Sequence, residues 1–174
     1  MKVPGSSSTS GVHPATLTTD RLRSECEVHF TRRRGPGGQH RNKVETAVVI
    51  RHRPSGVQAE ANERRSQPEN LRMAFRRLRA GLALHVRQPW EGPSRLWQSR
   101  CRQKRLTVSP QHDDFPALLA EALDALARFD WDVVQAAERL VCTRSQLVRL
   151  LRQDRAALQL LNRQRQQRGV GPLS

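Results

Sequence analysis

Apolar and polar residues alternate three times in the first half of the chain, then change period. From Cys26 to Arg32, Val28 and Phe30 fall on one face, with Glu27 and His29 on the other. Residues spaced by two share a face of a strand, so this segment predicts one. Thr46 to Arg53 predicts a second strand with Val48 and Ile50 inward. Pro54-Ser55-Gly56 reads as a turn, and Val57, Ala59 and Ala61 predict the inner face of a third strand, opposite Gln58 and Glu60. A turn this short joins antiparallel neighbours. At Ser66 the spacing lengthens to that of a helix. Leu71, Phe75, Leu78, Leu82 and Val86 make one apolar stripe fit to cover a sheet face. Ser66 with Glu69 forms a capping box, and Pro68 is tolerated in a first turn. Asp20 to Glu25 predicts one helical turn ahead of the first strand, and Asn42 to Glu45 another ahead of the second.

The second half is helical throughout. Leu118, Leu119, Ala122, Leu123 and Leu126 line one face of a helix starting near Phe115. Asp130 or Asp132 caps a second helix carrying Val133, Ala136, Ala137 and Leu140. Thr143 with Gln146 is another capping box, opening a third with Leu147, Leu150 and Leu151, and a fourth runs from about Arg155. Ala137, Leu140, Cys142, Thr143, Leu147 and Leu150 fall where helix-turn-helix proteins keep their core, and the module resembles that family. The resemblance makes Arg144, Ser145, Gln146 and Arg149 the exposed, nucleic-acid-reading face. Val141 stands where the family usually has the turn glycine.

Between these halves, Pro89, Gly92 and Pro93 end the long helix, and Arg95, Arg100, Arg102, Lys104 and Arg105 sit among Trp90, Leu96 and Trp97. The expected organisation is a disordered segment 1–19, a first domain 20–88, a basic linker 89–112, a helical domain 113–168 and a disordered tail 169–174. The expected fold class is α+β: a small antiparallel sheet with a packed long helix, followed by a small all-α bundle of helix-turn-helix type.

Composition adds a partner. Thirty-one Lys and Arg against 16 Asp and Glu give a net charge of +15, and only three of the basic residues are lysine. Arginine forks suit bidentate phosphate contacts, so this balance points to nucleic acid before membrane. Residues 20–88 hold 16 basic and 7 acidic side chains, residues 89–112 hold 5 and 1, and residues 113–174 hold 9 and 8. On that count the electrostatic footprint lies on the first domain and the linker, and DNA is an unlikely partner for the helical module. Arg72, Arg76, Arg77 and Arg79 admit two readings: a solvated helix face, or contacts to RNA. The linker also admits two: tryptophans stacking on bases among phosphate-binding arginines, or tryptophans packing on their flanks. Cys26, Cys101 and Cys142 are odd in number and far apart, which predicts reduced thiols rather than a disulfide framework. No zinc spacing and no nucleophile elbow occur, and neither metal nor organic cofactor is expected. No apolar run has the length of a signal peptide core or a membrane span, so a cytoplasmic protein is expected.

The stretch Gly35-Pro36-Gly37-Gly38-Gln39-His40-Arg41-Asn42-Lys43 carries the chemistry. Glycines without Cβ let backbone approach a partner closely, and the residues behind them bring donors and positive charge. Gly-Gly-Gln followed by His-x-Asn-Lys, then Thr46-Ala47-Val48, Pro54-Ser55-Gly56-Val57, and Arg65-Ser66-Gln67 with Asn70, resembles the catalytic domain of class I peptide-chain release factors and of the codon-independent ribosome-rescue hydrolases. The resemblance covers about residues 26–88. It implies hydrolysis of peptidyl-tRNA in the peptidyl-transferase centre, with Gly37, Gly38 and Gln39 as the catalytic loop. It implies RNA or ribosome contacts from Arg33, Arg34, His40, Arg41, Asn42, Lys43 and Arg65, to which the linker adds Arg100, Arg102, Lys104 and Arg105. His52 is expected to be structural. The implied partners are the ribosome, through large-subunit RNA, and peptidyl-tRNA, with the protein a monomer. Arg34 departs from the serine the family often has before the loop, and Arg64 from its acidic residue. Full release factors carry a long N-terminal region and a codon-reading domain, and with about 25 residues before the first strand neither is expected here. No codon-reading tripeptide, Pro-x-Thr or Ser-Pro-Phe, is expected in the chain, so codon-independent action is the reading. A non-catalytic ribosome-binding factor and a helix-turn-helix DNA-binding protein are the alternatives.

Overall fold

The structure is a computed structural model and describes residues 12–31 and 46–173. Three strands form an antiparallel sheet in the order β1 (Cys26–Thr31), β2 (Ala47–His52), β3 (Gln58–Ala61). β1 pairs with β2 from Cys26 opposite His52 to Thr31 opposite Ala47, and Ile50 of β2 faces Ala59 of β3. The turn between β2 and β3 places Gly56 at φ 71°, a left-handed angle that glycine takes without penalty. Val48, Ile50 and Ala61 are buried, as the alternation predicts. Phe30 is not: it is 41% exposed, because the long helix crosses β2 and β3 rather than the edge strand β1.

Ahead of the sheet lies α1 (Thr19–Ser24), and after it comes the long helix α2 (Gln67–His85). The Ser66 hydroxyl accepts the Glu69 N–H, so the cap is where the sequence places it. Phe75, Leu78 and Leu82 of the predicted stripe are buried, and Ala74 and Ala83 with them. The buried surface is wider than one stripe because α2 is sandwiched between the sheet and α4 (Phe115–Arg128). Each fully buried leucine here contributes about 1.5–3 kcal/mol.

Residues 89–112, expected as a basic linker, contain regular elements of their own. They form α3 (Arg95–Arg100) and a hairpin of β4 (Cys101–Arg102) and β5 (Arg105–Leu106), whose two-residue turn places Gln103 and Lys104 at φ 50° and 63°. Trp97 is 1% exposed and donates its indole N–H to the Leu140 carbonyl at 2.7 Å. Beyond α4 follow α5 (Val133–Arg139), α6 (Arg144–Arg152) and α7 (Arg155–Gln166). Asp132, not Asp130, caps α5, accepting the N–H groups of Val134 and Gln135. Val141, in the turn before α6, has φ 55°.

The two predicted domains share one hydrophobic core, which runs from Ile50 and Leu78 through Leu118 and Leu123 to Leu147 and Leu161. The predicted disordered ends are also corrected where they are described. His13, Pro14, Ala15 and Leu17 are buried, and Ala15 and Leu17 join the core. His13 Nδ1 accepts the Ala15 N–H, its Nε2 donates to Val86 O at 3.2 Å, and Ala15 is 2% exposed. At the other end, Asn162 ties down Leu173 through both its N–H and its carbonyl. A Pro-x-Thr tripeptide is present after all, Pro14-Ala15-Thr16, but it forms a 3-10 turn with Pro14 and Ala15 buried. Residues 1–11 and 174, and the helical turn predicted at 42–45, lie outside the described residues.

Candidate functional site

Gly37, Gly38, Gln39, His40, Arg41, Asn42, Lys43, Arg33 and Arg34 lie outside the described residues, and so does the backbone of the loop itself. What is described is its frame. Residues 32–45 connect Thr31 to Thr46, and Thr31 and Ala47 are paired across adjacent strands. The connection therefore leaves and re-enters the sheet at one end.

That re-entry point is clamped by a residue from the opposite layer. Asn70, fully buried in the first turn of α2, donates from Nδ2 to the Thr46 carbonyl at 2.7 Å and to the Arg64 carbonyl at 2.9 Å. Its Oδ1 accepts the Arg64 N–H at 2.9 Å. One amide thus uses both its donors and its acceptor to lock the chain leaving the loop and the chain entering α2 to each other. The sequence singles out Asn70 only as part of a motif. Its signal as a clamp is a polar residue on the buried side of a helix, which must find partners. Arg65, predicted to touch RNA, is exposed in the segment that Asn70 holds.

At the far end of the sheet His52 is 2% exposed. Its Nδ1 meets the Ser55 hydroxyl at 2.7 Å and also accepts the Ser55 N–H, while Nε2 donates to Glu25 at 3.1 Å. The order serine, imidazole, carboxylate suggests nucleophilic catalysis, but the geometry is that of a brace. Ser55 Oγ accepts the Val57 N–H within the same turn, and residues 53–56 are all exposed, leaving no wall to hold a substrate. His52 is structural.

The arginines of α2 take neither predicted role cleanly. Arg76 donates to the Pro110 carbonyl, Arg77 to the Glu60 carbonyl and to Glu63, and Arg79 to the Ala15 carbonyl. These three fasten outlying segments to the helix, while Arg72 is exposed. A further tie, Arg87 to Asp124 at 2.9 Å, joins the end of α2 to α4. Burial pushes the Asp124 carboxyl up to about 6, against the opposing pull of Arg87.

In the basic segment the four predicted residues separate. Arg100 is held by Asp114, through Nε at 2.9 Å and Nη2 at 2.6 Å, and its Nη2 also meets His112. Arg102, Lys104 and Arg105 project from the hairpin and are exposed. The tryptophans do not offer themselves for stacking: Trp97 is buried, and Trp90 packs edge-on against Phe129 with ring centres 5.9 Å apart. On α6, Arg144, Ser145 and Arg149 are exposed as predicted. Gln146 is not free, since its Oε1 accepts the Leu106 N–H of β5, so the Thr143 cap is one-sided. All three cysteines are free thiols, and burial pushes Cys142 up to about 12. Among the described residues no group of three His, Cys, Asp or Glu could hold a metal, and no helix is long and apolar enough to cross a membrane.

Residues 18–112 match the family model of the RF-1 domain. Peptide chain release factor 1 of Ureaplasma parvum is 39% identical over 92 residues, covering 47% of this chain and 26% of its own length. That of Malacoplasma penetrans is 31% identical over 119 residues, 62% of this chain and 29% of the relative. The chloroplastic release factor PrfB1 of Arabidopsis thaliana is 50% identical over 58 residues, 33% of this chain and 13% of the relative. The chain thus spans under a third of the length of these relatives. The matched segment ends at His112, so it takes in α3 and the hairpin and leaves α4 to α7 outside.

Proposed function

We propose, from the premise that this chain belongs to the RF-1 domain family, that it acts on the ribosome to hydrolyse the ester joining a nascent peptide to tRNA. The observation that carries the reading is Gly37-Gly38-Gln39-His40-Arg41-Asn42-Lys43 inside the matched segment, on a connection framed by paired strands and clamped by Asn70. In the reaction, water adds to the ester carbonyl. The bond to the ribose oxygen breaks, the acyl carbon keeps the hydroxyl, and the ribose oxygen takes the proton. The chain supplies position and charge stabilisation rather than a covalent nucleophile. The Gln39 N–H donates to the developing oxyanion or to the freed ribose oxygen, and the Gln39 side chain limits the pocket to water. Gly37 and Gly38, having no Cβ, are the residue type that lets a backbone come close to a partner. Arginines and Lys43 hold the loop to ribosomal RNA. No metal or organic cofactor enters this scheme.

The action is independent of a stop codon. What supports this reading is that Pro14 and Ala15 of the Pro-x-Thr tripeptide are buried and the exposed Thr16 donates its hydroxyl to the His13 carbonyl. The role is therefore rescue of stalled ribosomes, or termination without codon reading, by a monomer in the cytoplasm.

The test is release of labelled peptide from ribosomes carrying P-site peptidyl-tRNA, with and without mRNA extending beyond the P site. Gly38→Ala adds a Cβ that displaces the Gln39 N–H, so it should lower the rate by about 10²–10³-fold, as loss of one oxyanion donor does, while ribosome binding stays intact. Release undiminished in that variant would refute the mechanism. A parent protein that binds ribosomes without releasing peptide would establish the non-catalytic reading instead.

A further inference from the structure

The near-neutral charge of residues 113–174 conceals a separation. Seven of their eight acidic residues lie in 113–138, and eight of their nine arginines lie in 139–168, where Asp154 is the lone acid; that stretch is net +7. Asp154 is engaged as the cap of α7, accepting the Ala157 N–H. The basic stretch runs from Arg139 at the end of α5 through α6 and α7 to Arg168 just beyond α7.

The hairpin docks on this basic half. The Thr143 N–H donates to Lys104 O at 3.4 Å, Leu106 N–H to Gln146 Oε1 at 3.3 Å, and the Cys101 thiol to Val141 O at 3.6 Å. Thr143 caps α6, so the hairpin turn sits against the N-terminal end of that helix. Segments 95–107 and 144–152 together carry eight basic residues and no acid. Arg102, Lys104, Arg105, Arg144 and Arg149 are exposed, and none joins an ion pair among the described residues.

We propose that the hairpin and the first turns of α6 form one surface for the phosphate backbone of double-helical RNA, distinct from the 32–45 connection. This deepens the ribosomal reading above and rests on it. The partner follows from what the surface offers and lacks. Arginine forks, with the positive end of α6 beside them, suit phosphate oxygens. Gln146, which the helix-turn-helix resemblance puts on the reading face, instead has its Oε1 occupied by the Leu106 N–H. Stacking, on which single-strand binders rely, is not provided for. The lone exposed aromatic among the described residues is Phe30, on β1. What remains is a backbone reader that is indifferent to sequence.

The test is anisotropy of the full chain with a labelled RNA duplex of about 20 base pairs, longer than a duplex-RNA domain spans. Titrations run from about 50 to 200 mM salt. Each lost phosphate contact lowers the slope of log K against log salt by about 0.7–0.9, so the triple variant Arg102→Ala, Arg105→Ala, Arg144→Ala should lower it by about 2–3. Its affinity should fall at least tenfold, with the circular dichroism melt unchanged. Removing equal charge elsewhere, by Arg21→Ala, Arg23→Ala and Arg51→Ala, should leave most of the slope. A triple variant that binds like the parent, a control that loses as much, or tighter binding to the same duplex as DNA would overturn the proposal. Peptide release is a separate readout. A parent that binds duplex RNA as described yet releases no peptide refutes the hydrolase reading and leaves this surface standing.

Discussion

Replacing Asn70 by alanine removes three hydrogen bonds at one stroke and leaves Thr46 O, Arg64 O and Arg64 N without their partner. At about 1 kcal/mol net each, the loss is about 3 kcal/mol. It stays near that value because Thr46 is half-buried and Arg64 exposed, so water can reach the abandoned groups. For a chain of this size each kcal/mol moves Tm by about 2–4 °C, so thermal unfolding should shift down by about 6–12 °C. Asn70→Asp keeps the acceptor for Arg64 N–H but turns an oxygen toward two carbonyls. A carboxylate buried there has its pKa raised above the free value of about 3.9. A raised carboxyl favours the folded state below the free pKa and loses that advantage as pH rises through the raised one. Asn70→Asp should therefore be at least as damaging as Asn70→Ala at pH 7, and recover relative to the parent as pH falls toward 4. Below the melting range, both variants should still release peptide more slowly, because the loop's exit is no longer tied to α2. A loss under about 1 kcal/mol in Asn70→Ala would refute the clamp. So would a penalty in Asn70→Asp that is the same at both pH values.

Val141 holds a left-handed angle with its side chain 59% exposed, so Val141→Gly removes backbone strain at little cost in burial. Strain of about 1–2 kcal/mol, less the extra chain entropy of glycine, predicts a net gain of about 0.5–1 kcal/mol in urea unfolding; no gain would mean the turn is unstrained. Asp124 and His13 oppose one another in acid. Asp124, raised to about 6, favours folding at low pH and loses that favour as pH rises through 6. Burial lowers His13 to about 4, so its contribution is present above its free value and lost as pH falls toward 4. Asp124→Asn should therefore show a steeper loss of stability than the parent between pH 6 and 4, and an unchanged profile would mean that Asp124 titrates normally.

Sequence was most informative where structure is made locally. The strand alternation, the α2 stripe and the caps at Ser66, Asp132 and Thr143 all depend on residues within a few positions of each other. It was least informative where partners lie far apart. Leu96, Trp97 and Leu106 are too sparse to signal a packed segment, yet Trp97 reaches Leu140 and buries itself. The arginines of α2 read as a surface run because Pro110, Glu60 and Ala15 are remote in the chain. Phe30 fits the strand period, but its exposure depends on which strands α2 crosses. At the candidate site, the glycine loop was legible as a motif, whereas the Asn70 clamp emerges only once α2 meets the sheet. Charge counted over 113–174 hid the basic half of the helical module, because the seven acids of 113–138 cancel most of the arginines of 139–168.

The helices beyond residue 112 are welded to α2 rather than strung behind it, through the shared core and the Arg87–Asp124 tie. The span from the hairpin surface to Thr31 and Thr46, between which the glycine motif lies in sequence, is therefore set by side-chain packing, like the arms of a caliper, and not by the statistics of a flexible tether. Engaging one end fixes where the other can reach, and any insertion that loosened α4 from α2 would blunt that gauge without touching either tip.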